Sequence, residues 1–252
     1  MARLSVNLNK IALLRNWRRT GVTDVVASAR RVHEAGAHGI TVHPRPDERH
    51  IRRGDVPALA ALIAPWRPAF EYNIEGYPDE AFLDLVAGVA PEQVTLVPDA
   101  PGVLTSEEGW RLRPDEIAKM RAIVERLHGH KSRVILFVDP RPDSVAPVAD
   151  TGADGVEIYT GGYAAAFREG QPAALRDACA ATAAAAARLG LVVNIGHDLN
   201  LDNMPPLLAA MPGVAEASIG HELTADALLL GWDAAVRAYR DVLAAQQPPG
   251  PF

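Results

Sequence analysis

The chain has 252 residues, of which 48% are hydrophobic and 22% charged, and its formal net charge is −6 at pH 7. An acidic chain is a poor candidate for nucleic-acid binding, because proteins that bind a duplex normally carry a basic surface. No apolar run approaches the roughly 18 residues that span a membrane, and the N-terminus has neither the apolar segment nor the cleavage site of a secreted protein. We therefore expect a cytoplasmic protein with no nucleic-acid or membrane partner.

Short apolar runs recur along the whole chain and predict its strands. Each run is rich in Val, Ile, Leu or aromatic residues, which is typical of strands that are buried on both faces. The runs cover residues 4–9, 39–43, 69–75, 93–98, 133–139, 155–160, 191–197 and 216–221.

The segments between these runs favour helices. Apolar residues recur there with a spacing near 3.6, as in residues 25–36, 117–127 and 228–239. The alanine-rich segment 173–187 also predicts a helix, and Pro205 and Pro206 fit the first turn of another. Because parallel strands need crossover connections, eight strand–helix units predict a (β/α)8 TIM barrel at residues 1–246. Residues 247–252 are rich in proline and predict a flexible tail.

An open, doubly wound sheet is the alternative fold. Such a sheet would normally carry a glycine-rich phosphate-binding turn after its first strand. Here the first run is followed by Asn9-Lys10-Ile11-Ala12, and no GxGxxG follows any run. The barrel is therefore the better prediction.

Polar residues end several of the apolar runs, where a barrel places its active site. They include Asn7, His43, Glu75, Glu157, His197 and His221. Glu75 and Glu157 follow apolar neighbours, so desolvation should raise the pKa of each carboxyl group toward the range in which it can transfer protons at neutral pH.

Arginines are concentrated after the first two runs. Planar guanidinium groups at a barrel mouth suit phosphate or carboxylate ligands, although some of these groups could instead pair with acidic residues of the same loops. The arginines are Arg15, Arg18, Arg19, Arg45, Arg49, Arg52 and Arg53, and the nearby acids are Asp47, Glu48 and Asp55.

A divalent metal is an alternative use of the strand-end glutamates and histidines, and Asp139 could supply a further carboxylate. A zinc site has little support, because the chain has one cysteine and no His-Glu-x-x-His helix. We expect Cys179 to be a buried structural thiol. The histidines away from the strand ends are expected to be structural or solvated; they are His33, His38, His128 and His130.

Seven sequence strings, in the same order and spread over nearly the whole chain, resemble the pyridoxine 5'-phosphate synthase family. The most specific is Gly39-Ile40-Thr41-Val42-His43-Pro44-Arg45-Pro46-Asp47-Glu48-Arg49-His50-Ile51-Arg52. The others begin at Asn7-Leu8-Asn9-Lys10, Asn73-Ile74-Glu75-Gly76, Val94-Thr95-Leu96-Val97, Val156-Glu157-Ile158-Tyr159, Asn194-Ile195-Gly196-His197 and Ser218-Ile219-Gly220-His221.

The resemblance implies a (β/α)8 barrel with a few extra helices, assembled as a homo-octamer built from dimers. It also implies a transferase that condenses 3-amino-2-oxopropyl phosphate with 1-deoxy-D-xylulose 5-phosphate. The products would be pyridoxine 5'-phosphate, inorganic phosphate and water, formed with no metal or organic cofactor.

By position, the resemblance also implies roles for single residues. His43 and Glu75 would be general bases, His197 a general acid, and Glu157 a stabiliser of developing positive charge. The ligands of the amino ketone phosphate would be Asn7, Arg18, the backbone around Asp198, Gly220 and His221. The ligands of the deoxyxylulose phosphate would be Asn9, Lys10, Arg45, His50 and Ser106. The loop from Pro98 to Gly109 is a candidate lid.

The chain departs from the commoner form of the family at several of these positions. Asn9-Lys10 replaces Asp-His, as in one branch of the family, Asp198 replaces a glycine, and Ser106 replaces a threonine. These changes leave two alternatives open. One is a diverged synthase that uses another phosphorylated ketose. The other is a barrel that binds phosphorylated metabolites without catalysis, for which four titratable strand-end groups would be unnecessary.

Overall fold

Eight parallel strands close into a barrel in chain order, with the first strand paired to the last. The computed structural model describes residues 1–18, 20–21, 23–99 and 108–245. The strands are β1 (Arg3–Asn7), β2 (Gly39–Val42), β3 (Glu71–Gly76), β4 (Gln93–Leu96), β5 (Arg133–Val138), β6 (Gly155–Tyr159), β7 (Val192–Gly196) and β8 (Glu216–Ile219). The predicted (β/α)8 fold is therefore confirmed.

Helices surround the barrel, and some connections carry two of them. In the described parts of the chain the helices are α1 (Asn9–Trp17), α2 (Val25–Glu34), α3 (Asp55–Ile63), α4 (Glu80–Val89), α5 (Pro114–His128), α6 (Val145–Ala149), α7 (Gly161–Arg168), α8 (Ala173–Arg188), α9 (Met204–Ala210), α10 (His221–Leu230) and α11 (Trp232–Ala245). Two helices each follow β1, β6 and β8, which accounts for the extra helices expected. None of these helices is long and apolar enough to cross a bilayer. The predicted tail lies outside the described residues.

The predicted helix across residues 228–239 is wrong in one respect. Gly231 ends α10 with a φ of +80° and separates it from α11. Leu228 is consequently 76% exposed, whereas Val236 and Tyr239 are buried. A spacing near 3.6 therefore continued by coincidence across a glycine in the left-handed region, which interrupts a helix at little cost.

The two faces of each strand differ in chemistry. In β3, Tyr72 and Ile74 belong to the apolar core between the strands and the helices, and the Tyr72 hydroxyl donates to the carbonyl of Val56 in α3. Asn73 and Glu75 alternate with them and face the inside of the barrel. The outer faces carry the stability, because burying one Val, Leu or Ile side chain contributes about 1.5–3 kcal/mol.

The barrel interior is largely polar, which the prediction of apolar runs did not anticipate. Gln93 in β4 donates from Nε2 to Glu216 Oε1 in β8 over 3.0 Å, and Asn194 in β7 donates to Gln93 Oε1 over 3.2 Å. These bonds join strands that are not neighbours, so they cross the inside of the barrel. Both faces of the strands are buried, as expected, but only the outer face is consistently apolar.

Three of the side chains predicted to be structural or solvated, Cys179, His33 and His38, have packing or hydrogen-bond partners in the fold. Cys179 lies fully buried in α8, and burial raises the pKa of its thiol to about 12. The His33 ring stacks on Trp66 at 3.9 Å between centroids, and His38 Nδ1 accepts a hydrogen bond from the Leu4 amide. Two further histidines lie at the end of α5: the His128 ring contacts the Asp154 carboxylate, and the His130 amide donates to the Leu127 carbonyl.

Candidate active site

A cavity of about 330 Å³ opens at the carboxyl ends of the strands. It brings together twelve of the fourteen predicted site residues, and Ser218 joins them. The twelve are Asn7, Asn9, Lys10, His43, Arg45, His50, Glu75, Glu157, His197, Asp198, Gly220 and His221. Residues from distant parts of the chain therefore share one pocket, as the barrel topology predicts.

Arg18 does not line this cavity. It follows the last residue of α1 and is exposed, because the nine residues of that helix lead away from the carboxyl end of β1. Ser106, Arg19 and most of the candidate lid at residues 98–109 lie outside the described residues.

Asn7 and Asn9 connect the turn after β1 to the carboxyl ends of β2 and β3 by hydrogen bonds. The Asn7 Oδ1 atom accepts from the Asn9 amide at 2.9 Å, and Asn7 Nδ2 donates to Glu75 Oε2 at 3.4 Å. The Asn9 Oδ1 atom accepts from the His43 amide at 2.9 Å. The side chain at position 9 thus acts as an acceptor for backbone, a task that an amide oxygen performs as well as a carboxylate.

His43 and Glu75 form a buried pair. The His43 Nδ1 and Glu75 Oε2 atoms are 3.7 Å apart, and both residues are less than 10% exposed. Burial, with help from Arg45, holds the pKa of His43 well below its usual value, so its imidazole is neutral and able to accept a proton. Burial raises the pKa of Glu75 to about 7, against the opposing effect of Arg45 and with Asp99 adding to the rise.

Glu157 is the most isolated carboxyl group of the pocket. It is 2% exposed, and its Oε2 atom has no hydrogen-bond partner among the described residues. Burial, followed by the nearby Glu75 and Glu216 carboxylates, raises its pKa well above the ordinary value. Gly196 on the neighbouring strand leaves room for this side chain, because a Cβ atom there would overlap Glu157 Oε1. The rise expected from sequence for Glu75 and Glu157 is therefore confirmed in direction.

His197 is held by an unusual backbone. Its φ is +81° and that of Asp198 is +56°, a region that residues other than glycine rarely adopt and that costs of order 1–3 kcal/mol per residue. Thr160 Oγ1 donates to the His197 carbonyl at 2.7 Å, and Asn203 Nδ2 donates to the Asp198 carbonyl at 3.0 Å. The His197 ring packs on Phe137 at 4.9 Å.

The protonation of His197 bears on its predicted role as an acid. Burial lowers its pKa, although Asp198 and Asp99 oppose that effect, and the buried Nδ1 atom has no partner among the described residues. The ring is therefore neutral in the protein by itself. A bound phosphate would add negative charge nearby and favour the protonated form that an acid requires. Asp198 itself is exposed at the mouth of the cavity.

Positive charge is concentrated on one side of the cavity. The Arg45 Nη2 atom lies 2.7 Å from Asp99 Oδ2, and both side chains are buried. Burial together with Arg45, Arg49 and Lys10 lowers the pKa of His50 to about 4. The residual positive field around His50 favours an anion at this side.

The loop arginines divide between two uses. Arg49 Nη2 lies 2.6 Å from Asp47 Oδ2 of the same loop, and Arg15 Nη1 in α1 lies 2.6 Å from Asp55 Oδ1 at the start of α3, so these two have acidic partners. The expectation that part of the cluster is structural is thus confirmed for them. Arg45 alone among the described loop arginines reaches the cavity that holds Glu75 and Glu157.

The start of α10 also borders the cavity, beside the carboxyl end of β1. This ten-residue helix begins at His221 after Gly220, and a helix N-terminus carries partial positive charge and free amide groups. Gly220 is closely packed, since a Cβ atom there would lie 3.1 Å from Asn7 Cβ. Backbone amides therefore offer a second anion subsite.

Asp139, the carboxylate on which the metal alternative depended, is held by other groups. Its Oδ1 atom accepts from the Gly109 amide at 2.9 Å, and Oδ2 lies 3.3 Å from Arg111 Nη2. Within residues 1–18, 20–21, 23–99 and 108–245, no three His, Cys, Asp or Glu side chains are grouped as metal ligands would be.

Sequence reasoning missed three residues of this region. Ser218 lines the cavity, Asp99 pairs with Arg45, and Glu216 lies deeper in the barrel with its pKa raised by burial to about 7. Ser218 and Glu216 alternate with apolar residues in β8, and that alternation was a readable signal. The Asp99 contact joins positions 54 residues apart, and no local pattern predicts it.

Comparison with known proteins agrees with this geometry. The sequence model of the family described as "Pyridoxal phosphate biosynthesis protein PdxJ" matches residues 4–245. A pyridoxine 5'-phosphate synthase of Albidiferax ferrireducens is 49% identical over 242 residues, covering 94% of this chain and 95% of the relative. One of Porphyromonas gingivalis is 49% identical over 244 residues, covering 97% of this chain and 100% of the relative.

Similar solved structures agree in fold alone, because their sequences differ widely. Thiamine phosphate pyrophosphorylase from Pyrococcus furiosus has a TM-score of 0.60 at 14% identity, covering 98% of this chain and 97% of that one. Phosphoribosyl anthranilate isomerase from Thermotoga maritima has a TM-score of 0.57 at 15% identity, covering 97% of this chain and 100% of that one.

Proposed function

Because the chain belongs to the PdxJ family of pyridoxal phosphate biosynthesis proteins, we propose that it condenses 3-amino-2-oxopropyl phosphate with 1-deoxy-D-xylulose 5-phosphate. The products are pyridoxine 5'-phosphate, inorganic phosphate and water. The observation that carries the proposal is one cavity that joins the buried His43, Glu75 and Glu157 with the partly exposed His197 and two anion subsites.

The reaction needs several proton transfers in sequence. An amine adds to a ketone, water leaves, phosphate is eliminated, and the ring loses protons to become aromatic. Each positioned acid or base contributes about 10²- to 10⁴-fold. Holding both substrates in one cavity contributes more, since effective molarities reach roughly 10⁵ to 10⁸ M.

The raised and lowered pKa values suit these steps. His43 is neutral, and Glu75 ionises near pH 7, so both act as bases at neutral pH. Glu157 is uncharged in the protein by itself and ionises when an iminium develops beside it, because the cation replaces the solvent that burial removed. His197 supplies a proton once bound phosphate has raised its pKa.

The two anion subsites divide the substrates. The N-terminus of α10, with Asn7 and the backbone at Asp198, binds the phosphate of the amino ketone. Lys10, Arg45 and His50 bind the phosphate that is later eliminated. Family resemblance alone assigns Arg18 to the amino ketone phosphate and Ser106 to the deoxyxylulose phosphate.

We further propose that the protein is cytoplasmic and forms a homo-octamer built from dimers. An exposed apolar patch supports an assembly. The helices α1 and α10 pack together and expose large apolar side chains, and monomeric proteins rarely leave such a patch exposed to solvent. These side chains are Leu13, Leu14, Trp17, Leu228, Leu229 and Leu230. Light scattering on the purified protein gives its mass directly.

A diverged synthase for another ketose phosphate is the second candidate, and Lys10 is the observation that favours it. An ammonium group lies in the cavity where the commoner family form has an imidazole, and it differs in reach and in hydrogen bonding.

Phosphate release tests both candidates. Purified protein is supplied with the amino ketone phosphate and one of several ketose phosphates, and release of inorganic phosphate is followed. Fastest release with 1-deoxy-D-xylulose 5-phosphate supports the proposed reaction. Faster release with another ketose supports divergence, and no release with any of them contradicts both.

A further inference from the structure

A second group of polar side chains lies inside the barrel, toward the amino ends of the strands; Glu216, Gln93 and Glu71 are buried, and Arg3 and Arg133 are about one-third exposed. Glu216 accepts from Gln93 Nε2 at 3.0 Å, and Arg133 Nη2 donates both to Gln93 Oε1 and to Glu71 Oε2 at 2.7 Å. Arg3 Nη1 lies 2.9 Å from Glu71 Oε1. Glu216 is 4% exposed, and the cavity that holds the predicted substrate sites does not include it.

Strand register connects this group to the active site. Glu157 of β6 pairs with Asn194 of β7, and Asn194 pairs with Glu216 of β8, so the three side chains form one row on the inner wall. Adjacent strands are about 4.8 Å apart, which places the Cα atoms of Glu157 and Glu216 roughly 10 Å from each other. Glu157 and Glu216 therefore face the same enclosed space.

Unpartnered polar atoms surround this row. Asn194 Oδ1, Ser218 Oγ and Glu157 Oε2 are buried without a hydrogen-bond partner among the described residues. Because these atoms between the two carboxyl groups lack such partners, few hydrogen bonds offset the repulsion between a charge on Glu216 and one on Glu157. Charge interactions are stronger in such an interior than in water.

We propose that Glu216 is a positioning residue of the reaction, which acts through the barrel interior on the catalytic carboxyl groups of Glu75 and Glu157. The inference rests on the proposed function. Glu216 touches neither substrate subsite; its negative charge disfavours ionisation of both carboxyl groups and so sets the pH at which they exchange protons.

The charged groups around Glu216 support this role. Burial and Glu71 raise its pKa, to about 7, while the hydrogen bond from Gln93 and the charges of Arg133 and Arg3 oppose the rise. Glu216 thus begins to ionise in the working pH range, unlike a carboxylate with an ordinary pKa.

The catalytic carboxyl groups respond to Glu216 in the same direction. Its carboxylate raises the pKa of Glu75, which also faces Arg45, Asp99 and Asn7, and the pKa of Glu157. The three carboxyl groups therefore titrate as a coupled set.

The pH profile of kcat/KM for the substitution Glu216→Gln tests the proposal. The variant keeps the shape of the side chain and removes its charge. Because the base Glu75 must be ionised, losing a repelling charge should move the acid limb to lower pH by about half a unit or more, as expected for charges that share one barrel interior at an effective dielectric constant near 20. The plateau of kcat should change little.

Three variants separate this effect from a structural one. Glu216→Asp keeps the charge and should restore the wild-type limb. Glu92→Gln removes a partly buried carboxylate that pairs with Arg67 at 2.6 Å, and should leave the limb in place. If Glu216→Gln does not fold, Gln93→Met serves instead, because losing its hydrogen bond keeps Glu216 uncharged to higher pH and should move the limb in the same direction.

An acid limb that stays within about 0.2 pH units of wild type in folded Glu216→Gln overturns the proposal, because the repulsion expected between charges inside one barrel at an effective dielectric constant near 20 is larger than this. Carboxyl titration by NMR on ¹³C-labelled glutamate distinguishes this failure from failure of the proposed function, since it needs no turnover. A lower pKa of Glu75 in the variant supports the electrostatic role even if the wild type makes no product, and an unchanged pKa contradicts it.

Discussion

The two faces of the barrel strands perform different tasks. Outward residues such as Ile74 are apolar and fully buried against helices, whereas inward residues such as Glu75 and Glu157 are ionisable and nearly as buried. Burying ionisable groups costs free energy unless they are paired or uncharged. The outer layer provides enough apolar burial to tolerate that cost, and the inner face is thereby available for chemistry.

The largest expected effect separates activity from stability at the inner face. Glu75→Gln should lower kcat by about 10²- to 10⁴-fold, because it removes a proposed general base. Its unfolding temperature should stay the same or rise at pH 8, since a buried carboxylate is replaced by a neutral amide. Steady-state phosphate release and calorimetry measure the two quantities. A variant that keeps full activity would remove Glu75 from the mechanism.

The neighbouring residue on the outer face should behave in the opposite way. Ile74→Ala should lower the free energy of unfolding by about 2–5 kcal/mol, because it leaves a cavity in the packed outer layer. Activity at a temperature where the variant is folded should fall far less than in Glu75→Gln. Urea unfolding gives the stability, and an equal loss of activity in the two variants would break the distinction between the faces.

A single methyl group inside the barrel tests how closely the inner face is packed. Gly196→Ala places Cβ against Glu157 Oε1 and should lower kcat by about 10²-fold, the loss expected when a catalytic group moves by about 1 Å. Gly88→Ala in α4 is the control, because nothing lies within 4 Å of its Cβ position, and it should leave kcat unchanged. Equal activity in both variants would refute close packing at Glu157.

The smallest effect, taken per pH unit, is a pH dependence of stability. The pKa of Glu216 is about 7 in the folded protein and about 4.5 when unfolded, so the folded state holds the extra proton between these values. Its contribution is therefore present below about pH 4.5 and is lost as the pH rises through 7. Each pH unit in that window removes on the order of 1 kcal/mol of stability. The free energy of unfolding of Glu216→Gln, measured in urea, should decline less from pH 5 to pH 8 than that of the wild type. Parallel pH dependences for the two proteins would contradict this.

The sequence was sufficient to predict the barrel and the rim of the pocket. Strand ends carry His43, Glu75 and His197, and a barrel brings strand ends together wherever they lie in the chain. The barrel topology is therefore enough to predict that these residues share one pocket. The family strings then added roles that no spacing implies.

Other features depend on register and contact, which the sequence does not display. The polar inner face is not evident from the apolar content of each run, although Ser218 and Glu216 alternate with apolar neighbours. The pairing of Arg45 with Asp99 requires two loops to meet. The end of α10 at Gly231 depends on a positive φ that the helical spacing concealed.

The most direct test of the central claim is ³¹P NMR of the reaction with both phosphorylated substrates, run with wild type and with Glu75→Gln. The account predicts one inorganic phosphate for each pyridoxine 5'-phosphate formed by the wild type, and product formation slowed by at least about 10²-fold in the variant. Equal rates in the two proteins, or a folded wild type that consumes both substrates without forming this product, would contradict it.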